Sequence, residues 1–332
     1  MFALVLIMLK EYLYINMVRT KILNLTYLDE IHALLNNHYL EHPNGIYRVV
    51  YSRDYLYWYL KMAPDGWIIG LVSNKNKLIG FIAAVQLDII DTDIPKKIAY
   101  VSLLCIHRAI RSHGMASILI NEMKKRLSNH TVYFCTHKDQ TVLNFSLKML
   151  ELTNYAIPIN ERRLCSVGFI EAPQEDALAI TETNNPLHLV KSSDLVIIKE
   201  KLNHHLKKYK IRMCFDDHSI RHFILPKKDV VYSFINKEYT DFVTVYKCYY
   251  YCIEKKKIIS IAILGYYFYE SMTLTELISH LIPKLYNYDF DQLSFSSHMD
   301  NMIINIPKFR IDTKLFFNGT DCDMNELAML SF

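Results

Sequence analysis

Between Ala99 and Leu127 the sequence leaves few choices. Ala99-Tyr100-Val101-Ser102-Leu103-Leu104-Cys105-Ile106 is apolar enough to be a buried strand, and Met115, Ile118, Leu119 and Met123 then recur at helical spacing. Between strand and helix stands Arg111-Ser112-His113-Gly114-Met115-Ala116, an Arg-x-x-Gly-x-Ala turn. A helix start presents unpaired backbone N–H groups, and a glycine there lacks the Cβ that would hold an anion away. A strand running through such a turn into an amphipathic helix is one way an α/β protein grips a pyrophosphate. The candidate binding residues are Leu104, Cys105 and Ile106 at the strand end and Arg111, Ser112, His113, Gly114, Met115, Ala116 and Ser117 in the turn.

A chain of 332 residues, 51% hydrophobic and 13% aromatic, can fill two such α/β units. Its net charge of +4 is small, and Lys255–Lys257 is a short cluster of the kind that marks a solvated turn, so no nucleic-acid partner is expected. The seven cysteines are scattered, and Cys248 with Cys252 lacks zinc-site spacing, so reduced thiols, no metal and a cytoplasmic location are expected. Met1–Leu9 is apolar, but Lys10 and Glu11 interrupt it well short of the ~20 residues of a membrane span, and it lacks a basic leader. It reads as a short packed element or a dispensable tail before Met17, and no transmembrane segment is expected.

The remaining periodicities predict a helix over 27–39, a strand or arm at 47–51 and a helix over 54–62. Strands at 67–72, 78–87 and 99–106 precede the helix over 115–127. The same order returns later: helices over 195–209 and 217–223, strands at 230–234, 243–252 and 258–269, and a helix over 273–282 with Pro283 near its end. This is a repeat of element order, not of residue identity. It predicts an α/β fold of two fused units related by a pseudo-twofold, with a mixed β-sheet flanked by helices. The expected divisions are 1–19 as an extension, 20–170 as the first half, 171–186 as a linker rich in Glu, Asp, Thr and Pro, and 187–332 as the second half. Only the first half carries the Arg-x-x-Gly-x-Ala turn.

The turn is similar to the acyl-CoA loop of the GNAT acyltransferases, and the whole chain from about Thr20 resembles the N-myristoyltransferases. Tyr39-Leu40-Glu41 through Tyr47-Arg48-Val49-Val50-Tyr51-Ser52, Leu78–Ala84, Leu103-Leu104-Cys105-Ile106-His107 with Arg111-Ser112, Pro158-Ile159-Asn160, His222–Pro226 and Gly265–Tyr269 match that family's blocks in order. The resemblance implies transfer of myristate from myristoyl-CoA, a co-substrate with no further cofactor, to the α-amine of an N-terminal glycine by a monomeric enzyme. It implies an oxyanion hole from the backbone N–H groups of Leu103 and Leu104, and a general base in the main-chain carboxylate of Phe332. Thr136 would hydrogen-bond the acceptor amine, and Glu41, Tyr47, Tyr266 and Asp312 would line the peptide groove.

The chain departs from the family at several of these places. Ser102 replaces Asn, His113-Gly114 replaces Lys-Arg, Ala156 replaces His, Thr136 is followed by His137-Lys138, and Asp312-Thr313 stands at a Gly-Asp-Gly turn. Two other readings stay open at this level: a GNAT-type transferase using acetyl-CoA, and a non-catalytic adaptor that binds acyl-CoA or N-terminal peptides.

Overall fold

The computed structural model describes residues 18–39, 47–111, 113–137, 149–171, 186–318 and 326–329, with backbone only at 136, 137, 149 and 312–318. In chain order the first half is β1 (Val18–Ile22), α1 (Leu28–His38), β2 (Tyr47–Val50), α2 (Arg53–Leu60), β3 (Ile68–Ser73), β4 (Leu78–Asp91), β5 (Ile94–Ile106), α3 (Met115–Arg126), β6 (Thr131–His137) and β7 (Met149–Pro158). After the short helix α4 (Glu161–Ser166), the second half repeats that order element for element. It runs β8 (His188–Leu189), α5 (Leu195–Leu206), β9 (Ile211–Met213), α6 (Asp217–Ile224), β10 (Val231–Ile235), β11 (Asp241–Cys252), β12 (Lys257–Tyr269), α7 (Leu274–Asn287), β13 (Gln292–Ser296) and β14 (Phe309–Asn318). Strand β15 (Leu327–Ala328) follows.

One mixed sheet carries both halves, in the order β1-β3-β4-β5-β6-β14-β7-β13-β12-β11-β10-β8. Two parallel pairs, β5 on β6 and β12 on β13, are the strand–helix–strand crossovers through α3 and α7, and β15 on β9 is a third parallel pair. The halves do not simply abut. Each gives its last strand to the other, so β14 lies between β6 and β7, and β7 lies between β14 and β13. They also trade short strands: β2 pairs with β11, and β9 pairs with β4. One core cluster accordingly runs from Leu23 to Met329 through both halves, and a second fills the space between α3 and strands β3 to β6.

Several elements differ from the sequence expectation. Strands β4 and β5 are longer than their apolar runs and close on Thr92 and Asp93 at φ of 49° and 65°, a left-handed pair that closes a tight hairpin without glycine. Helix α7 does not stop at Ile282: it passes through Pro283 to Asn287, because Ile282 and Leu285 are both buried on its inner face. Asp312-Thr313 is not a free turn but falls where β14 slips register on β7, between Ile311 and Lys314. Residues 1–17, with the apolar Met1–Leu9, lie outside the described residues.

Candidate active site

Strand β5 fails twice at the same place. Its pairing with β6 stops at Val101 opposite Phe134, and its pairing with β4 jumps from Ser102–Ala83 to Cys105–Phe81. Leu103 and Leu104 therefore have no partner residue in the β4 ladder, and Leu103 stands at φ 56°. A left-handed leucine costs about 1–2 kcal/mol, a strain that persists only where the surroundings hold it. The bulge puts Ser102 and Leu103 on the same side of the sheet: Ser102 bonds α2, Leu103 belongs to the large core, and Leu104 packs against the α3 cluster. Backbone amides turned out of a ladder beside a split between strands suit an oxyanion hole.

Helix α3 starts at the same edge. Its N-cap is Gly114 at φ 70°, with no side-chain cap, and a Cβ built there would meet nothing within 4 Å. The helix start is therefore open to an anion. Arg111 holds the approach: its Nε donates to Ile106 O at 3.2 Å and its guanidinium to His38 O, tying the turn to the ends of β5 and α1. His113 Nδ1 lies 2.8 Å from Arg111 O, and the His107 ring packs against His38 with centroids 4.0 Å apart and the planes tilted by 44°. Desolvation, then Lys77, Arg108 and Arg111, lowers the His107 pKa. Beneath α3, an apolar cavity of about 200 Å³ is lined by Ile82, Val101, Ile120, Met123 and Phe134, with Lys124 and Ser128 as polar lining. Ile82 is the β4 residue facing the bulge.

The second half keeps the bulge but closes it. Strand β12 slips on β11 between Val245–Leu264 and Val243–Tyr267, leaving Gly265 and Tyr266 where the first half has Leu103 and Leu104. A Cβ on Gly265 would lie 2.5 Å from the Tyr246 ring, so that ring fills the position. The start of α7 is sealed by its own capping box, Thr273 with Glu276. Of these two helix starts, that of α3 has no side-chain cap and that of α7 has one.

The other candidates fall in different places. Met115, the first residue of α3, is buried, Ala116 and Ser117 follow it in the first turn, and Cys105 Sγ donates to Leu34 O at 3.8 Å. Tyr47 is half-buried, with its hydroxyl donating to Val167 O at 2.8 Å and its ring 4.5 Å from Phe169. Tyr266 is buried edge-on against Phe215. Thr136 pairs with Phe316 through the backbone, on the stretch of β6 that has left β5. Glu41, Ser112 and Phe332 lie outside the described residues. The described chain does bring the C-terminal segment inside, since Leu327, Ala328 and Met329 are buried and β15 runs parallel to β9.

Sequence reasoning missed Tyr59, whose hydroxyl is 2.7 Å from Ser102 Oγ, and His298, buried beside the Met329 backbone. Tyr59 reads as one apolar position in a Tyr-rich helix, and nothing local points it at residue 102. Among the described residues no cluster of His, Cys, Asp and Glu could hold a metal, no cysteine is in a disulfide, and no helix is long and apolar enough to cross a membrane.

The family model described as "Myristoyl-CoA:protein N-myristoyltransferase, N-terminal domain" matches residues 5–149, and that for the C-terminal domain matches 173–316. A protein of Acanthamoeba polyphaga mimivirus, named provisionally as a glycylpeptide N-tetradecanoyltransferase, is 43% identical over 310 residues, 92% of this chain and 86% of its own length. The Kluyveromyces lactis glycylpeptide N-tetradecanoyltransferase is 29% identical over 236 residues, 66% of this chain and 52% of its own. Saccharomyces cerevisiae N-myristoyltransferase with bound myristoyl-CoA superposes with a TM-score of 0.80 at 19% identity, covering 92% of this chain and 84% of that one. A GCN5-related N-acetyltransferase from Kribbella flavida shares the fold at a TM-score of 0.52 and 8% identity, over 90% of this chain and 70% of its own.

Proposed function

The chain belongs to the myristoyl-CoA:protein N-myristoyltransferase family, and from that premise we propose that it transfers the tetradecanoyl group of myristoyl-CoA to the α-amine of an N-terminal glycine, as a cytoplasmic monomer. The observation that carries this reading is the bulge at Leu103 and Leu104, placed where β5 parts from β6 and followed in the chain by the uncapped start of α3. In this reading the CoA diphosphate lies on the backbone of 111–117, with Arg111 fixing the turn. The thioester lies along Leu104–Ile106, and its carbonyl oxygen meets the N–H groups of Leu103 and Leu104. The apolar cavity beside Ile82 and Val101 receives part of the acyl chain. Each fixed donor of this kind is worth about 2.7–4 kcal/mol as the carbonyl oxygen becomes an oxyanion.

The acceptor amine must lose a proton before it attacks, since an α-amino group has a pKa of about 8. Nitrogen then bonds to the carbonyl carbon, the C–S bond breaks, and CoA leaves as the thiolate, which takes up the second proton that the nitrogen sheds as it becomes an amide. The proposed base is the main-chain carboxylate of Phe332. Support comes from the segment before it: β15 is buried and follows β9 along β4 from Asp91 toward Ile89, the direction of the bulge. Thr136 would steady the amine. Glu41 and Asp312 would favour basic residues near the peptide N-terminus, with Tyr47 at the groove and Tyr266 supporting it from the interior.

One preparation tests this. The protein is incubated with a Gly-initiated peptide and either myristoyl-CoA or acetyl-CoA, and the products are weighed by mass spectrometry. The expected result is a tetradecanoyl adduct on the glycine amine with myristoyl-CoA greatly preferred. Preference for acetyl-CoA would move the chain to the other acyltransferases of this fold, and tight binding without product would make it an adaptor. Adding one glycine after Phe332 should lower kcat by about 10²–10⁴ with acyl-CoA affinity unchanged, the usual contribution of a positioned base. Normal turnover in the extended protein would put the base elsewhere.

A further inference from the structure

We infer that Tyr59 is a positioning residue for acyl transfer, holding the oxyanion bulge in place through the hydroxyl of Ser102; this rests on the reaction proposed above. Ser102 is the last β5 residue in register with β4 before the bulge, and it lies one residue past the end of the β6 pairing. Just where the backbone must keep Leu103 at a positive φ, both neighbouring ladders give out. A side-chain bond at Ser102 supplies the restraint that the ladders do not. The Tyr59 hydroxyl makes it, 2.7 Å from Ser102 Oγ.

The post that carries this hydroxyl is rigid. Tyr59 is buried, and its ring stacks on Tyr55, which stacks on Tyr51, at centroid distances of 6.3 and 5.1 Å and interplanar angles of 7° and 18°. Helix α2 is capped by Ser52, whose side chain accepts from Tyr55 N at 3.0 Å. Trp58 pins the helix to the second half: its Nε1 donates to His222 O at 2.9 Å, and its ring lies flat on His222 at 4.8 Å. The pair holds two hydroxyl protons and needs only one for its own bond. A second proton therefore remains for a hydrogen bond beyond the pair. Ser102 thus links the seam between the halves to the two amides on which the reaction depends.

The test is a double-mutant cycle. Tyr59→Phe keeps the stack and removes the hydroxyl, and Ser102→Ala removes its partner. Each is expected to lower kcat by about tenfold, with the Kd of a non-hydrolysable myristoyl-CoA analogue and the peptide KM within twofold of the parent. The double variant should lose no more than either alone, because both remove one bond. Ser102→Thr, which keeps a hydroxyl, should retain the parent rate. Hydrogen exchange at the Leu103 and Leu104 amides should speed up in Tyr59→Phe while exchange in the β11–β12 pair stays unchanged. That readout stands without turnover: if the parent transfers no myristate the proposed reaction fails, yet faster exchange confined to the bulge would still support the restraint. Unchanged kcat and exchange in Tyr59→Phe, or losses that add in the double variant, would overturn the inference.

Discussion

His298, His222 and His205 are held as neutral rings. Desolvation dominates at each and lowers the pKa to about 4, about 3 and about 4. The sign follows from the direction of these shifts. Below pH 6.5 the unfolded chain takes up protons at these positions and the folded chain does not, so their contribution to stability is complete above pH 6.5 and is lost as pH falls toward 4. For His298, the most enclosed, this is on the order of 3 kcal/mol by pH 4. The melting temperature should therefore be level between pH 7 and 8 and decline steadily below 6.5. A flat profile down to pH 5 would mean that these rings are charged in the fold. No sequence signal marks these histidines, because burial is decided by partners far along the chain: the Trp58 ring for His222 and the Met329 backbone for His298. Leu103 is similar. Its letters are those of an ordinary strand, and only the slip against β4 makes its backbone unusual.

Two helices follow the fifth strand of their halves, and their first turns have opposite tasks. In α3 the N–H groups are left open over Gly114, whereas in α7 Thr273 and Glu276 satisfy them. Gly114→Val should weaken myristoyl-CoA binding by at least tenfold, measured by calorimetry, because a β-branched residue resists φ 70° and its side chain projects into the open space. Arg111→Ala should cost about 1.5–3 kcal/mol of the same affinity, the range of a charge-assisted hydrogen bond. Since the guanidinium lies on His38 O and Ile106 O, the structural route for that loss is displacement of the turn. Thr273→Ala should behave differently, lowering stability by about 1 kcal/mol in chemical denaturation and leaving acyl-CoA binding alone. The turn that opens α3 was legible in the letters Arg111–Ala116. The β4–β5 hairpin was not, since Thr92-Asp93 lacks the glycine that usually announces such a turn, and the length of α7 was hidden by Pro283.

The repeat of element order was visible in periodicity, but the way the copies join was not, because strand order depends on edges that no local pattern describes. Exchange of β7 and β14, with the smaller trade of β2 and β9, makes each half depend on the other for neighbours in the sheet. Residues 20–170 expressed alone should therefore aggregate or bind a hydrophobic dye, as should 187–332. Co-expressed, the two should copurify, and a monomeric, cooperatively melting 20–170 fragment would contradict the exchange as a stabilising feature. The same exchange sets a timetable. A ribosome releases β6 long before it has made β14, and at about 5–20 residues per second the outer edge of β6 waits roughly 10–40 seconds for its partner. During that interval the nascent chain carries an open strand edge beside the unfinished cleft, a surface that invites pairing with other chains. Synthesis of this protein should thus be sensitive to chaperone supply, and a message cut short anywhere before β14 should yield no partly active product.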